Sequence, residues 1–461
     1  MRTGRKLVKK FIFSLLCICF IATGFVVAMS NTAPVSAATT KTRGEYGRAI
    51  ASYTPDDDGI WRRTNLSFLS EYTSYIKKMS LYSPQMVRLN TGDVRLSDGI
   101  SFTTGYNPFS AAMQKKVKTA ECMFTGDLMC LKGQQFAAQV KSSYDFWPSY
   151  KYVAKVFEKA DFVCGNLESL LSESNPITKN QVNAKNGQPQ CNGPKIYLDA
   201  LREAGFDMLV TANNHTCDWG AVGITETKKH LEEYGFANTG THYYDSKEPE
   251  DRFVIFDVNG INIAILSYTH IINQRGYLTA KEMEKMVHTF DRDKAKEDIA
   301  AAKAKGADFV VVYCHWGIEN TETLNSAQLN DSKFLADEGA DLIIGSHPHC
   351  LQRCEYLETK DGRKVLCMYS MGNFCSSMVR DINNDTIILK VTIEKTMDKE
   401  STVTAMTDAS YIPCHVMNKD SHSFVVVPTS SKLNGGFTSN VLTSAKQRID
   451  KIMNGVIPCS E

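Results

Sequence analysis

The chain has 461 residues, of which 43% are hydrophobic and 22% are charged. This composition is typical of a folded globular protein and excludes disordered and fibrous classes. The 52 basic and 51 acidic residues give a formal net charge of +1. No polycationic surface for binding phosphates is implied, so we expect no nucleic acid partner.

Residues 1–37 have the pattern of a bacterial export signal. Several lysines and arginines precede an apolar run from Phe11 to Met29, which is followed by the small-residue stretch Val35-Ser36-Ala37-Ala38. Cleavage after Ala37 would release the protein. An uncleaved run of close to the roughly 20 residues that span a bilayer would instead anchor it. Both alternatives predict export, either to the outer face of the cell membrane or into the medium.

Residues 38–118 are polar and rich in tyrosine, and we interpret them as a lead-in segment packed on the main domain. The stretch Asp56-Asp57-Asp58-Gly59 is a turn signal, and a short helix is predicted around Phe68 to Met79. The segment contains no motif with recognisable chemistry.

From residue 119, short apolar strands alternate with amphipathic helices, as in α/β domains. The predicted strands are Glu121–Thr125, Phe162–Gly165, Met208–Ala212, Arg252–Val258, Ile261–Tyr268, Phe309–His315, Leu342–Gly345, Val365–Gly372, Thr386–Ile393 and Ser423–Val427. The predicted helices lie near Tyr150–Lys159, Lys195–Ala204, Gly223–Tyr234, Arg292–Lys305, Ser326–Glu338 and Ser444–Met453. This order indicates a largely parallel sheet with an antiparallel hairpin at Asn259-Gly260. We place the main domain at residues 119–415 and a C-terminal extension that closes it at residues 416–461.

Five short polar motifs each follow a predicted strand. They are Gly126-Asp127, Gly165-Asn166-Leu167-Glu168, Asn213-Asn214-His215, His315-Trp316-Gly317 and His347-Pro348-His349. Ligands of α/β sheets collect at the carboxyl ends of the strands, so we expect these side chains to meet. A divalent cation takes this mixture of carboxylate, amide and imidazole ligands, and two cations sharing a carboxylate catalyse hydrolysis of phosphoesters and related bonds. The pattern predicts metal-assisted hydrolysis.

Each motif also has a purely structural interpretation. Asp127 suits a turn, Glu168 suits a solvated loop, and the Asn213 motif suits the start of the helix near Val222. His347 and His349 are the most specific local signal, because residues two apart in an extended segment project to the same side.

The other histidines are isolated in the sequence, and we predict surface or structural roles for them. They are His230, His242, His270, His288, His415 and His422. Gln352 and the Ser370–Phe374 segment are expected to complete the pocket wall. The fourteen cysteines show no paired spacing typical of a four-cysteine zinc site, and their number after Ala37 also suits disulfides.

In this order and spacing, the motifs resemble the CapA family of bacterial capsule synthesis proteins, named for the poly-gamma-glutamate capsule. The resemblance runs from about Glu121 to Ser376 and includes Ala204-Gly205-Phe206-Asp207, Asp218, Gly220, Gly240-Thr241 and Ser370–Phe374. That family is similar to calcineurin-like metallophosphatases. The resemblance therefore implies an α/β fold in which two mixed β-sheets are sandwiched together and flanked by helices.

The resemblance also implies a set of site residues. The implied metal ligands are Asp127, Glu168, Asn214, His315, His347 and His349, with Glu168 as the bridge between two divalent cations (manganese, iron, zinc or cobalt). The implied catalytic residues are His215, which donates a proton to a leaving group, and Asp218. The expected pocket residues are Asn166, Asn213, Glu319, Gln352 and Asn373.

The chain departs from the calcineurin-like pattern at Met129, where those phosphatases have a histidine. A thioether is a poor ligand for a hard cation. One cation would therefore lack a ligand, unless another group such as Glu319 completes its coordination.

Three functions are compatible with these residues. The first is a metal-dependent hydrolase acting on an anionic surface polymer, such as poly-gamma-glutamate, or on its linkage. The second is a phosphomonoesterase or phosphodiesterase. The third is a non-catalytic component of polymer binding or export, placed beside a membrane synthase by its N-terminal segment.

Overall fold

The computed structural model describes residues 52–56, 58–64, 116–181, 187, 189–245, 252–398, 401–418 and 423–460. The export segment predicted at residues 1–37, the helix predicted around Phe68 to Met79, and His422 lie outside these ranges. Within the ranges, every helix is too short or too polar to cross a membrane.

Eighteen strands and eight α-helices make up the described part of the chain. The strands are β1 Ser52–Pro55, β2 Ile60–Thr64, β3 Lys116–Leu128, β4 Gln139–Val140, β5 Ser143–Tyr144, β6 Phe162–Leu167, β7 Met208–Val210, β8 Ala237–Thr239, β9 Phe253–Val258, β10 Ile261–Thr269, β11 Phe309–His315, β12 Leu342–Ser346, β13 Cys354–Glu358, β14 Lys364–Met368, β15 Asn373–Cys375, β16 Asp385–Met397, β17 Thr402–Asn418 and β18 Phe424–Pro428. The helices are α1 Lys132–Ala137, α2 Lys151–Phe157, α3 Tyr197–Ala204, α4 Gly220–Glu233, α5 Ala280–Met286, α6 Arg292–Ala304, α7 Ser326–Asp337 and α8 Asn440–Met453.

Two large sheets are both mixed in direction. The first has the order β1-β2-β9-β10-β11-β12-β14-β13, and the second has the order β18-β17-β16-β3-β6-β7-β8, with β15 also paired to β3. The strands that precede the polar motifs lie in the parallel parts, which are β10-β11-β12 in the first sheet and β3-β6-β7 in the second. The prediction of a largely parallel sheet was wrong for β1, β13, β16, β17 and β18, which pair antiparallel with their neighbours.

The predicted hairpin between β9 and β10 is confirmed. Ile261 pairs with Val258 in an antiparallel register, and the intervening Asn259 and Gly260 have φ values of 56° and 82°. Two successive residues with positive φ form the type of turn that matches the twist of a two-residue hairpin.

Apolar side chains fill three layers between the elements. Phe124 and Phe162 of the second sheet pack against Val311 and Ile344 of the first, which forms the central core. A second cluster lies between the second sheet and helices α2 and α3, and a third lies between the first sheet and helices α6 and α7. The order helix, sheet, sheet, helix confirms the predicted fold class.

Several elements extend beyond the predicted ones. β1 and β2 lie within the predicted lead-in segment, and they join the first sheet because β2 runs parallel to β9. β17 continues through the predicted boundary at residue 415, and α8 packs Ile449 and Met453 into the central core. The predicted strand Val365–Gly372 ends early at Met368, and Gly372 turns the chain four residues later with a φ of 67°.

Gly126 lies where β3 approaches the turn at Gly372. A Cβ atom on Gly126 would lie 2.0 Å from the Gly372 carbonyl oxygen. The atoms that this Cβ would meet belong to the backbone of Gly372 and Met371, so no flexible side chain can move to relieve the clash. We expect Gly126→Ala to lower the free energy of unfolding by about 1–3 kcal/mol. Denaturant unfolding would measure the change.

Gly276→Ala is the matched control, because a Cβ atom there meets nothing within 4 Å. Equal stability of the two variants would contradict the close packing of β3 on the Gly372 turn.

Candidate metal centre

All six predicted metal ligands lie in one buried cluster at the carboxyl ends of five strands. Each is at most 4% exposed. Asp127 ends β3, Glu168 follows β6, Asn214 follows β7, His315 ends β11, and both His347 and His349 follow β12. The cluster thus takes ligands from both sheets, and the backbone N–H of His347 joins them by donating to Asp127 Oδ2 at 3.2 Å.

The ligand atoms form two overlapping groups. The first is Glu168, His315 and His347, and the second is Asp127, Glu168 and His349; within each group the ligand atoms all lie within 4.8 Å of one another. Glu168 belongs to both groups. Its Oε1 lies 3.6 Å from His315 Nε2 and 3.7 Å from His349 Nε2.

Asn214 extends the first group. Its Oδ1 lies 2.9 Å from His315 Nε2, so the amide and the imidazole face the same point. The first group therefore offers four side chains, and the second offers three.

Several buried polar atoms in the cluster have no hydrogen-bond partner among the described residues. They are both carboxylate oxygens of Glu168, the side-chain nitrogen of Asn214, and Nδ1 of His347. Burying a carboxylate without a partner is costly, and a bound cation removes that cost. The residues present therefore fit a divalent cation with oxygen and nitrogen ligands.

Burial shifts the pKa values of the ligands in opposite directions. It raises the pKa of Glu168 well above its usual value, and the nearby Asp127 carboxylate raises that pKa further. It lowers the pKa of His347 to about 3, with a further contribution from His349, and holds the pKa of His315 well below its usual range. The imidazoles are thus neutral and able to bind metal.

The His347-Pro348-His349 segment is a strained turn, which corrects the prediction of an extended segment. His347 has a φ of 92° and His349 has a φ of 56°. Residues other than glycine rarely adopt such values, and they persist where the surroundings enforce them. The turn, and not the alternation of a strand, brings both rings to the cluster with their centroids 6.0 Å apart.

The predicted pocket asparagines orient the ligands. Asn166 donates to Asp127 Oδ1 at 2.7 Å, and Asn373 Oδ1 lies 2.9 Å from His349 Nδ1. Asn213 Oδ1 accepts from the backbone N–H of His215 at 3.1 Å. Hydrogen bonds of this kind fix the direction and tautomer of metal-binding groups. Ser346, which the sequence reasoning missed, acts in the same way through the 2.8 Å contact of its hydroxyl with His315 Nδ1.

His215 and Asp218, the predicted catalytic residues, are in direct contact beside the cluster. His215 Nδ1 lies 2.6 Å from Asp218 Oδ2, which also accepts from the backbone N–H of Cys191 at 2.6 Å. Burial alone would lower the pKa of His215, but Cys191 and Asp218 raise it well above the usual value. Cys191 was not predicted, because no motif surrounds it in the sequence.

The remaining predicted pocket residues differ in position. The exposed Glu319 carboxylate lies within 4.8 Å of ligand atoms of His347 and His349. Gln352 is turned elsewhere, since its amide bonds to Gln328 at 2.7 Å and to the Thr321 carbonyl at 3.0 Å. Met129 is buried, with 3% of its surface exposed.

The histidines outside the motifs have close partners among the described residues, which fits the structural roles predicted for them. His242 Nε2 and His288 Nε2 lie 2.5 Å apart in the interior. His270 contacts Asp331 at 3.1 Å, and His415 contacts Asp385 at 2.7 Å. The described cysteines are all free thiols, so the alternative of disulfides does not hold for them.

Two curated relatives are named for capsule biosynthesis. The PGA biosynthesis protein CapA of Bacillus subtilis is 30% identical over 61% of this chain and 70% of its own length. The capsule biosynthesis protein CapA of Bacillus anthracis is 28% identical over 68% of this chain and 73% of its own length.

Among solved structures, a calcineurin-like phosphoesterase, YfkN from Bacillus subtilis, aligns with 74% of this chain and 99% of that chain, at 14% identity and a TM-score of 0.35. The sequence profile of the family described as "Bacterial capsule synthesis protein PGA_cap" matches residues 121–378, more than half of the chain and the span that holds every ligand of the cluster. The chain therefore belongs to the PGA_cap family of bacterial capsule synthesis proteins.

Proposed function

We propose that this protein is an exported, metal-dependent hydrolase that acts on an anionic capsule polymer, such as poly-gamma-glutamate, or on the bond that attaches it to the cell. The observation that carries the proposal is the buried, unpartnered carboxylate of Glu168 surrounded by Asp127 and three imidazoles. The names of the relatives support a capsule polymer as the substrate. The basic and apolar pattern of residues 1–37 supports export.

The proposed ligands are Asp127, Glu168, Asn214, His315, His347 and His349. When bound there, divalent cations would supply Lewis acidity and lower the pKa of a coordinated water toward about 7. Both roles suit hydrolysis of an amide, ester or phosphoester bond.

His215 supplies the proton in this proposal. Its Nδ1 is engaged by Asp218, and the Cys191 side chain lies within the same group, so we assign Nε2 as the nitrogen that serves a substrate. As the scissile bond breaks, His215 donates its proton to the leaving oxygen or nitrogen, and Asp218 holds the ring in position. Cys191 supports this arrangement by donating its backbone N–H to Asp218.

We assign polymer binding to a cavity of about 290 Å³, whose wall also includes the acids Glu322 and Asp385. Cys350, which follows the proposed ligand His349, lines it together with Arg448 and Lys451. Asp385 holds Arg448 through contacts of 2.6 and 2.9 Å. Lys451 is exposed on the cavity wall and is the group we assign to the carboxylates of the polymer.

A non-catalytic role in polymer binding or export is the second candidate. The second ligand group favours it, because that group holds three side chains and the thioether of Met129 is a poor ligand for a hard cation. In this alternative the cations hold polymer carboxylates, and His215 is dispensable.

His215→Ala separates the two candidates. We expect the variant to keep its metal content but to lose about 100-fold or more of its turnover, because general acid catalysis contributes roughly that amount. Hydrolysis of an aryl phosphodiester and release of fragments from poly-gamma-glutamate would be measured with and without chelator.

His230→Ala is the control, since His230 contacts Glu233 on α4 and takes no part in the ligand groups. Unchanged turnover in His215→Ala, or turnover in the native protein that resists chelation, would refute the hydrolase proposal.

Glu168→Gln tests the metal ligands through stability. Native protein should melt at a higher temperature when manganese is added, because a ligand of the folded state stabilises it by mass action. The variant lacks the shared carboxylate and should show little or no such shift in thermal unfolding. An equal shift in both proteins would place the cation elsewhere.

Lys451→Gln tests the cavity. We expect it to weaken binding of poly-gamma-glutamate at low ionic strength, because it removes a cation from the wall. Gln447→Glu is the control; it lies exposed on the same helix, does not line the cavity, and changes the net charge equally. Equal weakening in both variants would indicate a general charge effect and no cavity site.

A further inference from the structure

The two ligand groups differ in the number of side chains they offer. Glu168, Asn214, His315 and His347 can surround the first position, whereas Asp127, Glu168 and His349 are the side chains of the second. Protein sites for zinc and similar cations commonly use at least four ligands, counting water or substrate. With three side chains, the second position therefore leaves a coordination place open for a further ligand.

Glu319 lies beside His349 of the second group and His347 of the first, so it is close enough to supply a further ligand. Its carboxylate, His347 and His349 form a third group whose ligand atoms are within 4.8 Å of one another. Glu319 is the exposed member of this group, and both histidines are buried. A cation held by Glu319 would thus be reached from the solvent side.

The next residue, Asn320, fixes Glu319 beside the histidine turn. Its backbone N–H donates to the Pro348 carbonyl at 2.8 Å, and its Oδ1 accepts from Asn383 at 3.0 Å. Asn383 in turn donates to the His349 carbonyl at 2.9 Å. These bonds join the Glu319 loop directly to the segment that carries His347 and His349.

We infer that Glu319 is a ligand of the second cation and that the two cations bind with unequal affinity. The first position is buried and has four protein ligands, so it binds its cation more tightly. The second depends on an exposed carboxylate and exchanges its cation with solvent. This inference rests on the proposed metal-dependent function and assigns Glu319 the place that Met129 does not fill.

Calorimetric titration of the metal-free full chain with manganese tests the inference. Native protein should bind two equivalents with separable affinities. Glu319→Gln should weaken the second equivalent by about 10-fold or more and leave the first unchanged. Electron paramagnetic resonance of the manganese would report the loss of the paired ions, independently of activity.

Glu322→Gln is the matched control, because Glu322 is an exposed acid of the same loop outside the ligand groups. Two unchanged equivalents in Glu319→Gln, or equal weakening by Glu322→Gln, would overturn the inference. If the native protein is active and binds a single equivalent of manganese, the inference about Glu319 is overturned and the proposed function still stands. No binding by the native protein would overturn both.

Discussion

The buried carboxylate of Glu168 is the constraint on which the rest of the site depends. It lies at the ends of strands from both sheets, and neither of its oxygens has a hydrogen-bond partner among the described residues. A lone carboxylate in such surroundings is costly, so the fold must compensate for it. The neutral imidazoles of His315 and His349, each within 3.7 Å of Glu168 Oε1, are arranged as they would be around a cation that shares this carboxylate.

Two mixed sheets stack on each other in this fold. The strand ends that carry the predicted ligands meet at one edge of the stack. Apolar strands such as Phe309–His315 are buried along their whole length, so the histidine at the end of this strand is buried with them. The backbone bond from His347 to Asp127 and the strained His347–His349 turn then lock the two sheets at this edge. The contact between the two sheets and the cluster of predicted metal ligands therefore lie at the same edge of the fold.

Much of this arrangement could be predicted from the sequence, because apolar strands followed by polar motifs determine where side chains gather. The gathering of the six predicted ligands follows from that pattern, whereas their assignment to metal and the catalytic roles of His215 and Asp218 come from the family resemblance. What the pattern omits are contacts that depend on tertiary structure. The role of Ser346, the proximity of Cys191 to His215, and the turn at His347 depend on neighbours that are distant in sequence. The first half of β17 is exposed and polar, so its apolar pattern was too weak to predict a strand.

The most direct test is a crystal structure of the protein soaked in manganese, with an anomalous difference map. The account predicts a peak within about 2.0–2.6 Å of the Glu168 carboxylate and in reach of His315 or His349, as expected for metal–oxygen ligation. A map with no peak at Glu168, under conditions where manganese binds elsewhere on the protein, would contradict the assignment of this cluster as a metal centre.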